Sequence, residues 1–151
     1  MFLNCSQKNK MKEFKKINIS HIKEIALTLA HKTMGWDEPI PPFDSRYPNR
    51  LESCVEVPFQ TYGNKDLYPT LTKKAAVLFY LMVKNHPFEN GNKRIAVTTL
   101  LVFLYLNDKW LEIDQQELYN FAKWVASSPP KIMESTVAAI DEFINKYIVK
   151  I

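Results

Sequence analysis

Long stretches of this chain repeat apolar side chains at the spacing of a helix, and few alternate at the spacing of a strand. From Ile17 to Thr33, Ile22, Ile25, Ala26 and Leu29 share one face, with Ser20 ahead of them as an N-cap. Between Asp66 and Asn85, Ala75, Ala76, Leu78, Phe79, Leu81, Met82 and Val83 are apolar almost all round. That pattern predicts a buried helix, capped by Thr70. Asn92 to Asn107 is as apolar, with Leu101, Leu104 and Tyr105 at helical spacing. After a short apolar connector (Trp110, Leu111, Ile113), Asp114 and Glu117 form a capping box. They open a helix with Leu118, Phe121, Ala122 and Val125 on its inner face. Ser128, followed by Pro129 at the first helical position, starts a last helix to about Tyr147. Ile132, Val137, Ile140, Phe143, Ile144 and Ile148 point inward along it. The fold class is mostly α, without repeats.

Two stretches do not fit helices. Met34 to Pro48 holds Gly35, Pro39, Pro41, Pro42 and Pro48, and reads as a loop pinned by Trp36 and Phe43. Leu51 to Gln60 stays open. Arg50 to Cys54 is compatible with a helical turn, whereas Cys54 to Phe59 alternates weakly and is broken by Pro58. A proline suits an edge strand and not a central one. On residues alone, a connecting loop is the simpler reading.

Composition narrows the class. At 151 residues, 46% hydrophobic and 24% charged, the chain is one ordinary globular domain. Its net charge of +4 sits in one place: within residues 1–16, Lys8, Lys10, Lys12, Lys15 and Lys16 face Glu13, which is 5 − 1 = +4. The division is a basic, poorly ordered arm over 1–16 and a single domain over 17–151. Met11 is a second candidate start. The neutral body speaks against nucleic acid as a partner. Cys5 and Cys54 form no metal-ligand spacing. No segment has the ~20 apolar residues of a spanning helix, and no leader pattern opens the chain, so no membrane partner and a cytoplasmic location are expected.

Chemistry concentrates where the two most apolar helices meet, at His86-Pro87-Phe88-Glu89-Asn90-Gly91-Asn92-Lys93-Arg94. A tight glycine loop entering a helix presents free backbone N–H groups, and the helix dipole adds partial positive charge. The place suits a phosphate. Lys93 and Arg94 fall in the first turn, where the dipole favours Asp or Glu. A bound polyanion is the simplest compensation for that broken rule. Gly91 permits close approach of the backbone. Asn92 reads as a contact to phosphate oxygens or as an N-cap. Arg94 reads as a phosphate clamp or as one side of an exposed salt bridge. His86 is the candidate general base. The set suggests transfer of a phosphate-bearing group onto a nucleophile that His86 deprotonates.

The same nine residues, HPFENGNKR, resemble the signature of Fic/Doc proteins, HxFx(D/E)(G/A)N(G/K)R. Upstream, LESCVEVPFQTYG and DLYPTLTKKAAVLFYLMVKNHPF resemble the death-on-curing (Doc) branch. The similarity covers roughly Leu51 to Asn107. It implies a Fic-fold helical bundle with a short β-hairpin flap near the active-site loop. It places the flap at Val55, Glu56, Val57, Pro58 and Phe59, holding a target peptide by strand addition. It further implies ATP as substrate and His86 as the catalytic base toward a Ser, Thr or Tyr hydroxyl of a protein substrate, such as a translation factor. Gly91, Asn92, Lys93 and Arg94 would hold the phosphates. Mg²⁺ is implied as well, but Asn90 stands at the family's acidic position, and an amide oxygen lacks the charge.

AMP-transferring members commonly carry GNGRxxR; here Lys93 replaces the second glycine and Val97 the second arginine. That pattern is similar to Doc, linked in the family to an inverted ATP pose and transfer of the γ-phosphate. Phosphoryl transfer is therefore the first expectation and AMP transfer the runner-up. A binding module with weakened catalysis is the rival. The resemblance also implies a toxin held in check by a small antitoxin protein. Ser20 to Glu24 resembles the inhibitory (S/T)xxxE(G/N) helix of some members, but Ile25 replaces its last residue and capping accounts for Ser20. Self-inhibition through that motif is not expected.

Overall fold

A computed structural model describes residues 13–151. Cys5, Met11 and three of the arm's five lysines lie outside the described residues. In chain order, α1 spans residues 19–32, α2 Pro48–Glu56, α3 Leu71–Lys84, α4 Asn92–Leu106, α5 Gln115–Ser127 and α6 Met133–Tyr147. Two small antiparallel sheets accompany them: β1 (Thr61–Tyr62) with β2 (Lys65–Asp66), and β3 (Lys109–Leu111) with β4 (Ile148–Lys150).

The apolar pattern explains the layout. α3 and α4 are buried on almost every face and pack against each other as the central pair. Each fully buried Leu, Phe or Met contributes about 1.5–3 kcal/mol, and Phe79, Leu78, Met82, Leu100, Phe103 and Leu104 are all below 2% exposed. α6 runs alongside α3. Asn145 Nδ2 donates to Thr72 Oγ1 near one end, and Lys84 Nζ donates to the Ser128 carbonyl at the other. The Phe121 and Phe143 rings stack at 3.8 Å and join α5 to α6. Thr70 caps α3 and Asp114 caps α5, as their sequences predict.

Other boundaries differ. The cap of α1 is Asn18, whose Oδ1 accepts from the His21 N–H while His21 Nδ1 accepts from the Asn18 N–H. Ser20 is already inside the helix. A π-helical stretch, Ile22–Ala26, shifts the register of α1, so Ile25 turns outward at 46% exposure. Ser128 closes α5 instead of opening α6: its Oγ donates back to the Val125 carbonyl. Pro130–Ile132 then forms a separate 3₁₀ turn, and Ile132 is exposed. The Trp110–Leu111 connector is a strand, and Ile148 pairs with it. Residues 13–16 of the arm lie against the body, where the Asn107 side chain bonds both the Lys15 N–H and the Lys15 carbonyl.

A hairpin is present, but not at Val55, Glu56, Val57, Pro58 and Phe59. Val55 and Glu56 end α2, and Val57–Phe59 is a 3₁₀ turn. Leu51, Cys54 and Val55 share one face of α2 and bury it, and that helical period overrides the weak alternation. The hairpin follows at 61–66, turned by Gly63 (φ 57°) and Asn64 (φ 64°). Two consecutive left-handed residues make the tight turn that matches strand twist. Its root is the N-terminal end of α3, where the buried Lys74 Nζ meets Asp66 Oδ2 at 3.2 Å and the Pro58 carbonyl at 3.4 Å. Phe59 sits edge-on to Phe103 at 5.8 Å.

Candidate active site

The turn into α4 is tightly specified. His86 adopts φ 47°, a left-handed conformation costly for a residue with a Cβ, and its side chain is exposed. Phe88 drops into the core at 1% exposure. The Asn92 side chain then ties the loop to itself: Oδ1 accepts from the Phe88 N–H (3.0 Å) and Nδ2 donates to the Phe88 carbonyl (2.9 Å). Asn92 is therefore neither N-cap nor open phosphate contact, but the clasp that shapes the turn. Gly91 is the N-cap, at φ 69°. A Cβ there would stand 3.0 Å from Ile40 Cδ1 and 3.1 Å from the Pro39 carbonyl oxygen, so only glycine fits.

α2 braces the other side of the turn. The Tyr47 N–H donates to the Pro87 carbonyl at 2.9 Å. Arg50 Nη1 donates to the His86 carbonyl at 3.3 Å, and the Arg50 guanidinium lies over the Tyr47 ring at 4.5 Å. One turn further lies the buried Cys54, beside the Asn85 side chain. Burial pushes its thiol up to about 12, so it is no nucleophile at neutral pH.

The proline-rich segment over 33–42 covers the start of α4. Arg94, 4% exposed, holds it down: Nη1 donates to the Glu38 carbonyl (2.7 Å), and Nη2 donates to the Thr33 and Ala30 carbonyls. Three of its five donors are thus spent on backbone. The sequence suggests a phosphate clamp or an exposed salt bridge at Arg94; in the structure it caps the C-terminal end of α1. The last carbonyls of a helix lack intrahelical partners, and the dipole there favours a cation. Lys93 is half-buried and, among the described residues, makes no hydrogen bond or ion pair.

The N-terminus of α4 does hold an anion. The Gly91 N–H donates to Glu38 Oε2 at 3.1 Å, so a carboxylate of the chain itself occupies the amide that the sequence assigns to phosphate. Nearby, the Tyr119 phenol is held well above its usual range, first by burial, then by its interaction with the Asp37 carboxylate and by the charge of Glu38. Three buried polar atoms in this region have no partner among the described residues: Asp37 Oδ2, Asn90 Oδ1 and Arg94 Nε. The free Asn90 oxygen fits a divalent cation as one neutral ligand. Among the described residues, no group of three or more His, Cys, Asp or Glu is arranged to hold a metal by itself.

The arrangement therefore offers an exposed imidazole, an anion-binding helix start and one unpaired lysine, with His86 and the amide of Gly91 in one loop. Comparison with known proteins decides which family built it. The family model described as Fic/DOC family matches residues 14–104. The chain belongs to the Fic/Doc family. "Toxin Doc" of Mycolicibacterium smegmatis (strain ATCC 700084 / mc(2)155) is 38% identical over 64 residues, which is 42% of this chain and 49% of that protein. The chain spans about half the length of that curated relative. No solved structure matches. The mostly α fold with its short hairpin is that of a Fic/Doc domain, and no helix among the described residues is long and apolar enough to cross a membrane.

Sequence reasoning missed Glu38 and Arg50 in this Fic/Doc chain. Both reach the loop over long separations, 53 residues for Glu38 to Gly91 and 36 for Arg50 to His86, and neither carries a local signal. The hairpin was readable, because Gly63-Asn64 between Tyr62 and Lys65 is a two-residue turn signature.

Proposed function

We propose that this chain is a Doc-like transferase that moves a phosphoryl group from ATP to a Ser, Thr or Tyr hydroxyl of a target protein. In the same reading it is the toxin of a toxin–antitoxin pair, restrained by a small protein partner. The observation that carries the proposal is the exposed His86, held in a strained turn directly ahead of a helix start that already binds a carboxylate. Membership of the Fic/Doc family and the partial match to a Doc toxin support it.

His86 accepts the proton of the incoming hydroxyl. The hydroxyl oxygen attacks the γ-phosphorus, the bond to the bridging oxygen breaks, and ADP leaves. The Gly91 amide and Lys93 take up phosphate charge once Glu38 has swung away from Gly91. Asn90 would hold Mg²⁺ arriving with the nucleotide, where the ion supplies charge neutralisation. Arg94 and Asn92 act by holding the covering segment and the turn in place. Positioning and electrostatic stabilisation carry most of phosphoryl transfer, so this small set of groups suffices.

The test is intact-mass spectrometry of bacterial lysate proteins after incubation with the chain, ATP and Mg²⁺, beside a folded His86→Ala variant. A gain of one phosphate is expected, slowed about 10²–10⁴-fold without His86. A His86-dependent gain of one AMP would replace the proposal by AMP transfer. Equal labelling by the variant would remove His86 from the mechanism. No gain at all would favour a binding module.

A further inference from the structure

His86 lies between two helix starts. One is α4, with Lys93 and Arg94 in its first turn. The other is α2, whose first turn contains no acidic residue and does contain Arg50. A helix N-terminus disfavours cations, so both starts break the same rule on either side of one histidine. At α4 the structure answers part of the conflict, since Arg94 is buried among carbonyls. At α2 it does not. Arg50 is exposed, and among the described residues it forms no ion pair. One donor meets the His86 carbonyl, the guanidinium rests on Tyr47, and the other donors are unspent. Stacking on a ring while offering a fork of donors is the arrangement in which a guanidinium takes a phosphate.

We infer that Arg50 contacts the phosphoryl group in transit, as the guanidinium that the spent Arg94 does not provide. The inference rests on the phosphoryl-transfer reading and adds a residue to it. The reacting phosphorus must come within bonding distance of the hydroxyl that His86 deprotonates, and Arg50 is the exposed guanidinium that bonds the main-chain carbonyl of His86 in the same turn. Its charge is then compensated only when the nucleotide is bound.

The experiment compares the wild type with Arg50→Ala, Arg50→Gln and Arg50→Lys. It measures ATP and ADP affinity by calorimetry, kcat and KM for transfer, and thermal unfolding as a check on the fold. Arg50→Gln keeps a donor for the His86 carbonyl but loses the charge, so it separates phosphate contact from loop support. Arg50→Ala and Arg50→Gln are both expected to weaken ATP roughly 10–100-fold, as loss of a charge-assisted hydrogen bond does, and to weaken ADP less. Arg50→Lys recovers part of the loss. ATP affinity within twofold of wild type in folded Arg50→Gln overturns the inference, as does a loss in Arg50→Ala that Arg50→Gln fully restores. If His86→Ala is inert while Arg50→Gln is normal, the inference fails and the reading survives. If His86→Ala transfers normally, the reading fails, and the ATP affinities still decide whether Arg50 binds phosphate.

Discussion

The two ends of the central helix pair each bury a cation, and they treat it in opposite ways. At the hairpin end Lys74, 2% exposed, meets the carboxylate of Asp66, the carbonyl of Pro58 and the face of the Phe59 ring at 5.2 Å. Charge, hydrogen bond and ring all point the same way, and the left-handed residues there are a glycine and an asparagine in a tight turn. At the motif end Arg94, 4% exposed, has backbone carbonyls and no acid. Around it lie three unpartnered buried polar atoms, a histidine forced to positive φ, an unpaired lysine and a carboxylate seated on a helix start. One end is settled; the other keeps its charges and donors unsatisfied. Unsatisfied groups and strain gather at functional sites, and the settled end shows that this chain can satisfy a buried cation where nothing else is required.

The largest stability effect should come from the settled-looking part of the unsettled end. Arg94→Ala strands the Ala30, Thr33 and Glu38 carbonyls and uncaps α1, so about 2–4 kcal/mol of stability should be lost. Chemical denaturation measures it directly. A loss below about 0.5 kcal/mol, joined to a large rise in KM for ATP, would return Arg94 to the role of a clamp. Next comes Lys74→Met at the hairpin end. It leaves Asp66 and Pro58 without their partner and should cost about 1–3 kcal/mol. The comparison requires the specific activity of the folded fraction to stay at the wild-type level; a fall in activity would make the hairpin end part of the site. The smallest effect is at Glu38. Glu38→Ala frees the Gly91 amide for phosphate and should tighten ATP by a few-fold, about the worth of one part-buried competing hydrogen bond. Weaker ATP binding in this variant would make Glu38 a ligand and not a competitor.

The same contrast separates what was legible in the sequence from what was not. The central helices could be read because α3 and α4 are apolar over whole turns, and the caps Thr70 and Asp114 announce themselves locally. The motif loop could be read because Gly91 opens a helix whose first turn carries Lys93 and Arg94 against the dipole, a broken rule that is visible in the sequence. Arg94 could not be placed, since its partners are carbonyls 56 to 64 residues away, and carbonyls have no sequence signature. Residues 55–59 are ambiguous in the sequence for a different reason. A short segment with Val, Val, Pro and Phe fits strand and helix alike, and only packing of the Leu51, Cys54 and Val55 face chooses between them. Asn18 outcompeted Ser20 as a cap because His21 returns its hydrogen bond, a pairing whose period is three residues and which a lone serine signal hides.

The central claim is that the unsettled end is where a nucleotide's phosphates bind. Backbone amide chemical shifts during titration with ATP and Mg²⁺ test it most directly, because each amide reports its own surroundings. The account predicts the largest shifts at Gly91, Asn92 and Lys93, with a matching change at Glu38 as its carboxylate leaves Gly91, while Tyr62 and Lys65 in the hairpin stay still. Shifts centred on the hairpin, or a silent Gly91 at saturating nucleotide, would contradict it.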